Sequence, residues 1–135
     1  MILESAKNFD EHTVGEDAIY FVDSKPLIVR TKSGLLPSLK FEEVIESLPH
    51  IIVDMGAVAH IVNGADIMRP GVKDVHSDFP KGALVVIVDE KYSKPIAIGL
   101  TEVDSSEMRL MSKGKVIANL HYVSDELWKS FGKSG

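Results

Sequence analysis

Apolar residues fall along this chain in short runs separated by turn formers, with a helical period in only a few places. Ala18 to Val22 and Leu27 to Val29 are β-rich runs on either side of Asp23-Ser24-Lys25-Pro26, which predicts a hairpin. A second turn follows at Lys32-Ser33-Gly34. Phe41, Val44, Ile45 and Leu48 then recur at i, i+3, i+4 and i+7, with Glu42, Glu43 and Glu46 off that stripe. The spacing predicts an amphipathic helix, and Pro49 ends it. His50 to Val53 is a short β-branched run. Asp54 follows as an N-cap for a helix from Met55 to Val62 or Asn63, with Met55, Val58, Ala59 and Val62 as its apolar face and Gly64 as its left-handed stop.

Ala65 to Met68 predicts a short strand, and Arg69 to Gly82 a polar connecting stretch. Leu84 to Val88 and Ile96 to Leu100 are apolar enough to be adjacent central strands joined by the loop Asp89 to Pro95. Ser105 to Arg109 is a candidate helix, Lys113-Gly114 a turn into a strand over Val116 to Val123, and Ser124 to Glu126 the start of a short helix that carries Leu127 and Trp128. The tail from Gly132 is expected to be loose. One substantial helix after residue 50 against about five short strands favours a small, partly open β-barrel. No internal repeat and no low-complexity tract interrupts the chain.

Composition narrows the function classes. In 135 residues, 44% hydrophobic and without cysteine, thiol chemistry, disulfides and cysteine-based zinc sites are excluded. The longest apolar runs fall far short of the roughly 20 residues needed to cross a bilayer, and Met1 to Asp10 lacks the features of a signal peptide, so a cytoplasmic protein is expected. The net charge of -5 argues against a protein that coats nucleic acid non-specifically. That charge is uneven: residues 1 to 49 hold 5 basic and 9 acidic residues, residues 50 to 135 hold 10 and 11. The second part is therefore close to neutral.

No enzymatic constellation is present. His12, His50, His60, His76 and His121 form no metal-binding spacing; the closest approach to a cluster, Asp74 to Asp78, reads as a solvated loop. Phosphate-binding glycine loops and a G-x-S-x-G elbow are absent, and Ser105 and Ser106 have no adjacent histidine to activate them. No catalytic residue, metal or cofactor is expected. One feature stands apart: Gly56, Ala57, Gly64 and Ala65 place small side chains at both ends of the Met55 helix. There they either admit a phosphate backbone close to main-chain N–H groups and the helix N-terminus, or serve tight packing and the helix stop.

From His50 to Tyr122 the sequence resembles a PUA domain, the RNA-binding pseudo-barrel named for pseudouridine synthases and archaeosine transglycosylases. The residues that carry the likeness are Val53-Asp54-x-Gly56-Ala57, Asn63-Gly64-Ala65-Asp66-Ile67-Met68-x-Pro70-Gly71-Val72, Lys81-Gly82-x-Leu84-Val85-x-Ile87-Val88, Ile98-Gly99 and Lys113-Gly114-Lys115-Val116. Phe21-Val22-Asp23-x-x-Pro26, Pro37-Ser38-Leu39 and Asn119-x-His121-Tyr122-x-x-Asp125-x-Leu127-Trp128 extend it to the translation-associated PUA proteins typified by the malignant T-cell amplified sequence protein and by ligatin. The leading part is shorter than that family's usual one, and a chain this compact looks archaeal.

The resemblance implies an α+β protein: a small N-terminal α/β domain over residues 1 to 49, then a PUA pseudo-barrel of five to six strands with one main helix over residues 50 to 135. It also implies non-catalytic RNA binding in translation initiation or ribosome recycling, with tRNA 3′ ends or small-subunit ribosomal RNA as partner. Carried over by position, the RNA-binding surface comprises Gly64, Ala65, Arg69, Lys73, Lys113, Gly114, Lys115 and His121. Gly64 would admit the RNA backbone, the cations would contact phosphates, and His121 would stack on or hydrogen-bond a base. Trp128 is expected to pack the C-terminal segment against the barrel. The alternatives are an accessory role in RNA modification or ribosome biogenesis, and an adaptor that docks a protein partner through its acidic N-terminal domain.

Overall fold

The computed structural model describes residues 7–133. Its first unit is an antiparallel meander of β1 (Phe9–Val14), β2 (Asp17–Val22), β3 (Lys25–Thr31) and β4 (Gly34–Pro37), in that order across the sheet. The expected hairpin is β2–β3. Its tight turn has positive φ at both Asp23 (49°) and Ser24 (69°), the geometry that matches strand twist in a two-residue hairpin. Ile19, paired with Val29, which in turn pairs with Leu36, forms the buried row of this sheet. The sequence pattern does not reveal β1, because Phe-Asp-Glu-His-Thr-Val has no apolar alternation and is largely exposed; pairing along β2 defines it as an edge strand. Helix α1 (Glu42–Ser47) follows, with Phe41 and Ile45 buried and its end at Leu48, as the stripe and Pro49 predict.

The second unit is a six-stranded sheet in the order β6-β10-β9-β8-β5-β7. Its strands are β5 (His50–Val53), β6 (Ile67–Met68), β7 (Val72–Val75), β8 (Leu84–Asp89), β9 (Pro95–Thr101) and β10 (Lys115–Tyr122), with helices α2 (Met55–Ile61), α3 (Ser105–Leu110) and α4 (Glu126–Ser130). Strands β5 and β8 pair in parallel and the other neighbours are antiparallel. The two outermost strands, β6 and β7, are consecutive in the chain and joined by a single 3-10 turn at Arg69–Gly71. Main-chain bonds from Arg69 N–H to the Gly114 carbonyl (2.7 Å) and from Asp54 N–H to the Gly71 carbonyl (3.0 Å) fasten that turn to both ends, so the sheet curls into a pseudo-barrel. Ile51, Val53, Ile67, Val85, Ile87, Met108 and Ile117 fill its interior.

Strand β8 is apolar on both faces from Leu84 to Val88 because both are covered: Val85 and Ile87 point into the barrel, Val86 and Val88 toward Leu39 and Ile45. Two expectations are corrected. In α2 the buried residue is Ile61, flanked by half-buried Ala57, Val58 and Val62, while Met55 and Ala59 face solvent; the barrel wall, not the summed hydrophobicity of the helix, selects the face. The polar stretch from Arg69 to Gly82 contains β7, which the carbonyl and amide pairing of β5 imposes on Val-Lys-Asp-Val. The loose tail expected from Gly132 begins in a 3-10 turn over Phe131–Lys133, and its last part lies outside the described residues.

Candidate nucleic-acid interface

The helix α2 and its two ends hold most of the residues singled out by the sequence. At the N-terminus, the Asp54 carboxylate accepts from Ala57 N–H (2.7 Å) and the Glu90 carboxylate from Met55 N–H (2.9 Å). The donors that sequence reasoning offered to a phosphate are thus occupied by two carboxylates of the chain itself. Gly71 is there for packing: a Cβ on it would lie 2.9 Å from the Ala57 Cβ, so only glycine lets the 3-10 turn rest on α2.

At the other end, Gly64 adopts φ +96°, and a Cβ there would lie 2.9 Å from the Tyr122 hydroxyl. Carbonyls at the end of α2 and in the loop after it accept from side chains of β10 and beyond. Asn119 donates to the carbonyls of Ile61 (3.0 Å) and Ala65 (2.9 Å), and the Ser124 hydroxyl donates to that of Val62 (2.6 Å). The Asn119 main-chain N–H donates to Asp66 (2.9 Å). Asn119, Ser124 and Asp66 therefore set the shape of the loop after α2. Sequence reasoning gave them no part in this loop; Asn119 and Asp66 stood only within quoted motifs, and a spacing of 53 to 62 residues between partners leaves no local signal. Beside this loop lies a groove of about 530 Å3, lined by Asp54, Ala57, His60, Ile67, Met68 and Pro70 among others.

Pairing of β6 with β10 sets Lys115 opposite Met68, and the Arg69–Gly114 bond adds the Lys113-Gly114 turn, so Ala65, Arg69, Lys113, Gly114 and Lys115 come together. Ala65, Lys113, Gly114 and Lys115 are exposed, and Gly64 and Arg69 half-buried. Lys73 sits on β7 at a register shift: Ile52 pairs with Asp74 and Val53 with Val72, leaving Lys73 as the extra, outward residue of a bulge. Lys73 and Lys113 have no carboxylate partner among the described residues.

The other two cations carried over by position, Lys115 and Arg69, are committed to the fold. Lys115 Nζ lies 3.1 Å from Asp66 and 3.0 Å from Glu102. Hydrogen bonds to Glu102 and then Asp66 hold its ammonium above the ordinary lysine range. Partial burial pushes the Asp66 carboxyl up, but the Asn119 N–H and Lys115 outweigh it and leave Asp66 below its ordinary value. Arg69 donates through Nε to the Met108 carbonyl (2.6 Å) and through Nη1 to that of Val72 (3.0 Å), tying the 3-10 turn to the end of α3.

His121 is corrected outright: it is fully buried. The β10 register slips at Leu120 relative to β9 and turns the imidazole toward Leu39 and α4. There Nε2 accepts from Leu39 N–H (3.2 Å), which leaves Nδ1 to donate to Asp125 (2.7 Å). Asp125 also accepts from Tyr122 N–H (2.9 Å) and Trp128 N–H (2.7 Å). Burial raises the Asp125 carboxyl, yet the hydrogen bond from His121 together with the two N–H donors brings it below the ordinary value. His121 is thus a structural clasp and reads no base.

A family model described as the PUA domain matches residues 49–123. A protein of Methanocaldococcus jannaschii is 38% identical over 84% of this chain and 71% of its own. Translation machinery-associated protein 20 of Saccharomyces cerevisiae is 34% identical over 82% of this chain, which spans 65% of that protein's length. Among solved structures, a hypothetical protein from Pyrococcus horikoshii superposes with a TM-score of 0.78 at 29% identity, covering 91% of this chain and 78% of that one. A chain of an H/ACA RNP bound to a substrate RNA superposes with a TM-score of 0.58 at 28% identity, over 70% of this chain and 29% of that one. The chain therefore belongs to the PUA-domain family, and its relatives include translation machinery-associated protein 20 and the malignant T-cell-amplified sequence proteins.

Proposed function

We propose that this protein binds RNA in the service of translation, without catalysing a reaction on it, and that it holds a tRNA 3′ end or a small-subunit ribosomal RNA helix against the loop after α2. The observation that carries this reading is the group of small residues Gly64, Ala65 and Gly114 at the loop after α2 and the β6–β10 edge, with Lys113 beside it and Lys73 on β7, both without a carboxylate partner among the described residues. Exposed small residues admit a sugar–phosphate backbone, and unpaired ammonium groups contact phosphates, which suits recognition of RNA by shape more than by sequence. Kinship with translation machinery-associated protein 20 and likeness to a chain of an RNA-bound H/ACA particle support RNA as the partner.

Charge reversal tests it. Lys73→Glu and Lys113→Glu are expected to weaken tRNA binding and to reduce the salt slope by about one for each lost phosphate contact; unchanged affinity in both removes this surface. Crosslinking to cellular RNA and sequencing the fragments then sorts the role. Mature tRNA ends or small-subunit helices support translation, whereas precursor ribosomal RNA or guide RNA supports the modification or biogenesis role.

A second reading, compatible with the first, has its own observation. On the outer face of the meander Phe9 (65% exposed) and Leu35 (66%) stand beside Tyr20 and Ile28 around a cavity of about 260 Å3. In an acidic region, this face suits a protein partner that offers apolar and basic side chains. Phe9→Asp and Leu35→Asp in the full chain are expected to abolish capture of such a partner while leaving RNA binding intact.

A further inference from the structure

A cleft of about 490 Å3, sharing no lining residue with the α2 groove, is bounded by Lys25, Pro26, Lys40, Trp128, Phe131 and Gly132, with no carboxylate in its lining. In a chain of net charge -5 that is an unusual surface. Its parts are held in place. Lys25 follows the Asp23-Ser24 turn, whose Asp23 carboxylate accepts from the N–H groups of Lys7 (3.1 Å) and Asn8 (2.9 Å). Lys40 N–H donates to the hydroxyl of buried Ser38 (3.0 Å), and Ser38 N–H to the Leu27 carbonyl (2.8 Å). Trp128 is capped by Asp125 and meets Phe131 edge-on, with ring centroids 5.8 Å apart.

The side chains in the cleft have few commitments. Lys25 and Lys40 make no ion pair among the described residues, in contrast to Lys115 between its two carboxylates. The Lys40 ammonium rests over the Trp128 ring, 4.4 Å from the centroid. That contact marks the indole face as one a planar or cationic group can reach, and the flexible lysine stem allows the ammonium to swing off it. Lys40 and Trp128 also line a neighbouring groove with Glu42, Glu46 and Lys94, and Lys25 and Lys40 a pocket with Glu42 and Glu43, yet neither lysine forms an ion pair with these carboxylates among the described residues. A ligand for the Lys25 side needs an anionic group for two ammonium ions and a flat apolar part for an indole, and a nucleotide has both.

We propose that this cleft is a second RNA contact that takes one unstacked nucleotide of a single-stranded segment. Its phosphate lies between Lys25 and Lys40, and its base takes the indole face that Lys40 leaves. An acidic peptide without an aromatic side chain matches the lysines but has nothing to set against the ring. The inference rests on the RNA-binding reading above and extends it to single-stranded RNA flanking the part held at α2.

Trp128 is the sole tryptophan, so the site reports on itself. The full chain is titrated with a short fluorescein-labelled oligoadenylate, following tryptophan emission and label anisotropy together. Saturable quenching is expected. It should weaken by about tenfold or more in Lys25→Glu with Lys40→Glu, weaken also in the milder Lys25→Gln with Lys40→Gln, and persist in Lys73→Glu with Lys113→Glu. Binding seen by anisotropy without quenching overturns the cleft and leaves RNA binding standing. Equal quenching in the glutamate and glutamine variants, or equal quenching by oligoglutamate, overturns the nucleotide assignment. Silence in both signals also overturns the cleft, and the RNA-binding reading is then judged on structured tRNA alone.

Discussion

The two sheets bury their hydrophobic residues in different ways. The six-stranded sheet closes on itself, because its outermost strands follow one another in the chain and a 3-10 turn joins them; it needs nothing from outside to cover its interior. The four-stranded meander cannot close. Ile19, Phe21, Val29 and Leu36 are covered by Leu127 and Phe131, from the far end of the chain. Leu39 and Ile45 in turn cover the outer side of β8 and β9. The division at residue 49 suggested by charge and by likeness is therefore not a division in packing, and the N-terminal part alone would leave its main core row uncovered.

That contrast can be broken most directly at Phe131. Phe131→Ala is expected to cost about 3–5 kcal/mol in urea denaturation, with one cooperative transition for both sheets. A loss below about 1 kcal/mol, or two separate transitions, would mean the meander stands by itself. Gly99→Ala probes the closed sheet instead. A Cβ at residue 99 would lie 2.3 Å from Ile117 Cγ2 and 2.9 Å from the Ala118 carbonyl oxygen, so β9 and β10 must separate. The expected loss is about 1–3 kcal/mol, read from the same denaturation curves.

Asp125→Asn sharpens the comparison at the clasp, where His121 and Asp125 join β10 to Leu39 and α4. Asparagine still caps α4 but sets an amide against the His121 Nδ1 and Tyr122 N–H donors, which is expected to cost about 1–3 kcal/mol at neutral pH, and more than Asp54→Ala, whose cap serves α2 alone. Because the native carboxyl of Asp125 lies below its ordinary 3.8, its contribution is full above that value and disappears as pH falls through the native one. The stability difference between wild type and Asp125→Asn should therefore shrink in acid. A difference that stays constant through that range would show that ionisation of Asp125 contributes nothing. The smallest effect is at Lys113, exposed and unpaired: Lys113→Glu should shift stability by no more than about 0.5 kcal/mol in the same urea curves while weakening RNA binding.

Much of the fold was legible where one interaction acts over a few residues. The Asp23-Ser24 turn, the Phe41 to Leu48 stripe, the Asp54 cap and the Gly64 stop each depend on neighbours within a turn or two, and each is found as expected. What was not legible has too little apolar pattern of its own. β1 is a strand because the adjacent β2 supplies its hydrogen bonds, and β7 because β5, on the other side of α2 in the chain, supplies them. The site was less legible than the fold. The resemblance marked Arg69, Lys115 and His121 by position as ligands for RNA, and only their surroundings show that they are used by the chain itself. That carry-over passed over Lys25 and Lys40, which lie far apart from Trp128 in sequence.

By itself, then, the sequence determined the local elements and the likeness to a PUA domain, because turn, cap and period are short-range properties of side chains. The tertiary structure alone decided which cations remain available to a ligand, since that depends on whether a carboxylate or a carbonyl from another strand has already reached them. It also decided that the acidic front and the near-neutral barrel share their cores, because an open meander must find cover for its apolar face and the chain's far end provides it.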